Sequence, residues 1–173
     1  MYKEGQSIYL GLPVYNMDMD EEKEGEGMDF IALVKSPATK QPFFKFNEEK
    51  KEQPKNFKFG ISDTERQLIT GVVMLADTPI YRKVEEDEFY VTFTKEIVEK
   101  MSFKYMKNQF TTNVNLEHNE NKKVNDVYLV ESYIFDEKRG VKIPEYLGDI
   151  TPGSWVATFK IDNEEVWSKV KNN

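Results

Sequence analysis

The chain has 173 residues, one domain's worth of polypeptide, with 24 Lys+Arg against 31 Asp+Glu and a net charge of -7. That sign argues against a general nucleic-acid binder, which needs a basic face to displace phosphate counterions. With no cysteine and a single histidine, His118, disulfide scaffolds, cysteine nucleophiles, iron–sulfur sites and multi-histidine metal sites are excluded as well.

The longest apolar run, residues 72–76, is too short for a membrane helix, and residues 1–5 do not open like a signal peptide. The expectation is therefore a soluble intracellular protein. An aromatic share of 13% favours a β-rich core. Taken in chain order, residues 7–12 read as a short strand ended by Pro13. Residues 18–29 hold seven acids and one base, -6 of the total charge, and read as a solvated acidic loop. Calcium is rejected there, because Gly25 and Gly27 fall out of register for an EF-hand loop.

Residues 30–34 (Phe-Ile-Ala-Leu-Val) form an apolar run suited to a buried strand, stopped at Ser36-Pro37. Phe43, Phe44 and Phe46 suggest an edge segment, and residues 47–56 a polar loop. Residues 68–76 read as a long strand in which Gly71 marks a bulge or a close backbone approach. After Thr78-Pro79 a further strand begins at Ile80. Beyond the acidic turn 85–88, Phe89, Val91 and Phe93 alternate with Tyr90 and Thr92.

Thr94 is a good N-cap for a helix to Lys107, with Ile97, Val98, Met101 and Tyr105 on its apolar stripe. Residues 113–118 alternate again, with Val114, Leu116 and His118 on one face. A polar turn leads to a strand over 127–135, and the two are expected to pair as a hairpin that places His118 opposite Asp126. Trp155, Ala157, Phe159 and Ile161 share a strand face. Asp162 and Glu165 fit a capping box for a last helix bearing Val166, Trp167 and Val170. About seven strands and two helices give an α+β class, mainly antiparallel, curled or closed into a β-barrel with flanking helices.

His118 is the one side chain that titrates near neutrality, and so the natural general base of a neutral-pH hydrolase; a half-buried structural histidine is the bland alternative. A nucleophile is harder to find. In the expected hairpin Ser132 lies roughly 20 Å from His118, Ser154 reads as a strand start after Pro-Gly, and Ser36 as a turn residue. Glu131 interrupts the apolar row Val127-Leu129-Tyr133-Phe135, and an inward carboxylate there needs a cation or backbone amides.

Several segments, in order, resemble the phage prohead (capsid-maturation) serine protease family, in its prophage-type head protease branch. They are residues 29–39 with Pro42-Phe43, 70–72 through 79–82, 89–94 with the following helix, and Asn115-Leu116-Glu117-His118. Residues 127–133, Gly153-Ser154-Trp155 and 166–169 complete the set, so the resemblance spans about 29–171. It implies a herpesvirus-protease-like barrel, often dimeric, and an endopeptidase that cleaves scaffold and capsid proteins inside the immature head, in the host cytoplasm. It places His118 as the general base.

The family's nucleophilic serine follows in a Gly-Phe-Ser-Ile-like motif, and the third triad member comes later still. Both are expected outside residues 1–173. The division is then an N-terminal strand and acidic loop over 1–28, and a protease-like domain over 29–173 that is C-terminally incomplete. A self-cleaved fragment, a shortened chain and a protease-like structural protein all satisfy this. A non-catalytic capsid-associated or scaffold-binding protein is the alternative function, and a β-rich ligand-binding barrel a weaker one. No cofactor, metal, nucleic acid or membrane is implied, whereas self-association is. The strand over 154–161 is expected to border an open sheet edge.

Overall fold

A computed structural model describes residues 2–19, 28–29, 31–33, 59–116 and 123–172. Most of the acidic loop, the aromatic segment at 43–46, the polar loop at 47–56, and His118 lie outside the described residues.

Strands β1 (Tyr2–Tyr9) and β2 (Leu12–Met17) form an antiparallel hairpin that pairs Tyr9 with Leu12. Its two-residue turn holds both Leu10 (φ 49°) and Gly11 (φ 83°) in the left-handed region, the turn whose twist matches its strands. The hairpin corrects the expectation that Pro13 ends a strand. Pro13 sits inside β2 opposite Ile8, and the parallel register of β2 with β7 (Asp87–Thr92) begins only at Val14. A proline just before the pairing starts leaves no ladder bond unmade. Strand β6 (Ile80–Val84) pairs with β7 through a tight turn at Glu85-Glu86, completing a sheet in the order β1-β2-β7-β6.

The second sheet runs β4-β5-β10-β9, built from β4 (Gly60–Asp63), β5 (Leu68–Met74), β10 (Trp155–Ile161) and β9 (Val127–Ile134), all antiparallel. Strand β3 (Ile31–Leu33) pairs in parallel with β8 (Val114–Leu116). The class is thus α+β, with five of the seven strand pairings among the described residues antiparallel. Among the described residues the strands form two four-stranded sheets and one two-stranded sheet.

One core joins them. Val91 of the first sheet, Trp155, Ala157, Phe159 and Ile161 of the second, and Val114 of β8 belong to one buried cluster. Helix α1 (Lys95–Lys107) adds Val98 and Tyr105, both fully buried, and Tyr105 meets Trp155 edge-on at 5.4 Å. Helix α2 (Glu164–Lys171) adds Val166 and Trp167. A smaller cluster, built around Leu75, Phe135, Leu147, Ile150 and Val156, fills the other face of the second sheet.

Gly71 is the close approach foreseen at that position: a Cβ there would stand 2.6 Å from Cγ of Phe59. Three expectations fail. Strand β9 pairs with β10, and β8 pairs with β3, so the described part of 112–118 forms no hairpin with β9. Strand β10 is flanked on both sides, by β5 and β9, so it borders no open edge. The last helix is capped by Asn163 rather than Asp162, Asn163 Oδ1 accepting from Val166 N at 3.0 Å.

Candidate functional site

Strand β8 runs up to the segment carrying His118. Val114 is fully buried, and its carbonyl accepts from Val124 N at 2.9 Å. Asn115 makes an antiparallel bridge with Lys123, whose Nζ donates to Asn113 Oδ1 at 2.9 Å. Residues 113–115 and 123–124, which bracket His118 in sequence, are therefore pinned to one another. His118 itself, the one catalytic residue expected from sequence, lies outside the described residues. Beside it in sequence, Asn115 is 3% exposed, and its Oδ1 has no hydrogen-bond partner among the described residues. A buried acceptor left open in this way is costly.

The serines weighed from sequence have structural roles. Ser154 is fully buried; its Oγ accepts from Ala76 N at 3.0 Å and donates to Thr151 O at 2.7 Å. Ser132 Oγ accepts the indole Nε1–H of Trp155 at 2.9 Å. Because Trp155 is wholly enclosed, that bond satisfies a donor that water cannot reach.

Ser132 reaches Trp155 because the β9 ladder slips by one residue. Glu131 opposes Thr158 while Leu129 opposes Phe159, leaving Val130 as an extra residue. Such a bulge reverses the alternation of faces. Beyond it Ser132 turns inward and Glu131 outward, which corrects the reading of Glu131 as an inward carboxylate. Its partner is a hydroxyl, not a cation: Thr158 Oγ1 donates to Glu131 Oε2 at 2.5 Å. Thr158 in turn lies 2.8 Å from Thr70 Oγ1, which lies 3.0 Å from Ser62 Oγ. The run crosses all four strands of the sheet, with Thr158 and Thr70 only 1% and 4% exposed. Sequence reasoning missed it because the members become neighbours only through the strand register.

An open groove of about 720 Å³ lies against β9, between Val130–Tyr133 on one side and Val141–Pro144 on the other. Farther along the same sheet, Asp162 accepts from Lys160 at 2.6 Å and from Tyr128 at 3.0 Å. Lys160 and then Tyr128 hold its carboxyl below the usual range, while Asp162 pushes the Tyr128 phenol up. Burial raises the Tyr105 phenol, which keeps it neutral in the core. Among the described residues no three His, Cys, Asp or Glu side chains gather as metal ligands, and no helix is long and apolar enough to cross a membrane.

No curated protein and no solved structure matches the chain. The model of one family, described as "Putative phage serine protease XkdF", matches residues 58–173. The match takes in α1, α2, the whole second sheet and the position of His118. On that match over about two thirds of its length, the chain belongs to this phage serine protease family.

Proposed function

We propose that the chain is a phage prohead maturation serine endopeptidase, or the N-terminal portion of one, with His118 as general base. Its substrates are scaffold and capsid proteins, cleaved inside the prohead in the host cytoplasm, and the enzyme self-associates. The observation that carries this reading is the family match over 58–173, which includes the one histidine of the chain. A histidine base needs a hydroxyl nucleophile within hydrogen-bond reach. Ser132 and Ser154 are bound to other groups, so neither is proposed as that nucleophile. The curled, herpesvirus-protease-like barrel is part of the same proposal, supported by the single core that both four-stranded sheets share.

The test is co-expression of the full-length protein with its phage head proteins, followed by mass-spectrometric mapping of the cleaved ends. His118→Ala should lower cleavage by about 10³-fold or more while leaving the circular dichroism spectrum unchanged. Cleavage at the unmodified rate by His118→Ala overturns the role of His118. Absence of any cleavage by the unmodified protein favours the non-catalytic scaffold-binding alternative.

A further inference from the structure

Strand β9 ends the second sheet, and no described strand pairs with its outer side. The turn Phe110–Thr112 lies alongside without pairing, and Phe110 packs toward the core. Phe135 N donates to Ser154 O at 2.9 Å, and Phe135 O accepts from Gly153 N at 2.7 Å, so the main chain of Phe135 faces the β10 side. Antiparallel ladders alternate, and the register from Ile134 to Ser132 is regular. The N–H and C=O groups of Ile134 and Ser132 therefore point away from β10, along the edge beside the groove that Val130–Tyr133 line. Another extended backbone matches such an edge group for group.

The groove also has a chemical polarity. Val130 is 45% exposed at its rim, and Ile143 and Pro144 make the far wall apolar. Glu131 is fixed within it: Thr158 engages Oε2, which preorganises the carboxylate for a donor at Oε1. Arg66, the cation whose charge reaches Glu131, is committed to Asp63 through a 2.8 Å Nε–Oδ2 bond.

We infer that the β9 edge and its groove bind an extended polypeptide by strand addition, with a lysine or arginine side chain of that peptide on Glu131. Taken as substrate, the peptide rests on the endopeptidase reading; taken as ligand, it does not, because binding is measured without cleavage.

The probe is an acetylated, amidated seven-residue peptide of alternating threonine and valine with a central lysine, titrated into the protein and followed by amide hydrogen exchange and heteronuclear NMR. Saturable binding should protect the amides of Ser132 and Ile134. Replacing the central lysine by glutamate, or Glu131→Gln in the protein, should weaken binding about fivefold to tenfold. N-methylation of alternate peptide amides should abolish binding in one phase and spare it in the other. No binding at millimolar peptide, or equal loss for both methylation phases, overturns the strand addition. Equal affinity for the lysine and glutamate peptides overturns the role of Glu131. Protection of the same amides by rising protein concentration alone assigns the edge to a second copy and overturns the proposal.

Discussion

A single extra residue, Val130, decides what two neighbouring side chains can do. Strict alternation puts Glu131 inside and Ser132 outside, and the bulge exchanges them. The apolar row Val127-Leu129 is legible from sequence because it lies before the slip. Glu131 and Ser132 are not, because nothing local to Val130 distinguishes a bulge from a continuing strand. Ser132→Ala should cost about 1–3 kcal/mol in chemical denaturation, since it strands the buried Trp155 indole N–H. Ser132→Thr, which keeps the oxygen, should recover part of that loss. Gly71 is a second position where one atom matters. A methyl group there meets Phe59 Cγ at 2.6 Å and its Cα at 2.8 Å, and a backbone atom cannot swing aside. Gly71→Ala should destabilise by about 1–3 kcal/mol, and an unchanged denaturation midpoint would contradict the packing of Phe59 over β5.

Elements defined by a local signal were readable, and those defined by a distant partner were not. Thr94 caps α1 as its sequence indicates, with Ile97 N donating to Thr94 Oγ1 at 3.4 Å. At α2 the capping signal is displaced by one residue, because Asp162 is occupied by Lys160 and Tyr128 while Asn163 is free to turn back onto Val166 N. Asn163→Ala should therefore cost about 1 kcal/mol, whereas Asp162→Asn should leave the amide exchange of α2's first turn unchanged. The Asp162 carboxyl is depressed in the folded protein. Its contribution is present above the unfolded carboxylate value, near 3.9, and is lost as pH falls through the lower folded value. An acid titration followed by NMR at Asp162 should show that midpoint below the Asp162 midpoint of the urea-unfolded chain. The hairpin expected between 112–118 and 126–135 failed for a tertiary reason. Strand β8 finds its partner in β3, from which it is separated by about eighty residues of chain.

At the scale of the whole molecule, the α+β class and the apolar face of β10 follow from periodicity, while the sheet order does not. Trp155, Phe159 and Ile161 alternate cleanly and are all fully buried, yet alternation carries no information about which strands lie on either side. The candidate site was legible only in part: His118 stands out as the one neutral-pH base, and the hydroxyl run from Ser62 to Glu131 emerges only once four strands are in register. Phe159→Ala should cost about 3–5 kcal/mol and lower thermal unfolding as a single transition at all wavelengths, since Phe159 lies in the core shared by both sheets. Separate transitions for the two sheets would contradict a common core.

The place of β10 between β5 and β9 also sets an order of events in time. Its neighbours begin at Leu68 and Val127, yet neither can complete its ladder until residues 155–161 have left the ribosome. During synthesis β5 therefore waits with only β4 beside it, and β9 waits without its β10 partner, a state in which β-prone chains are most exposed to aggregation. Closing such long loops makes folding slow for a chain of this size. Nascent chains arrested before residue 155 should stay protease-sensitive and bound to chaperones, and protection of β5 and β9 should appear together, in one step, once Ile161 is free to pair.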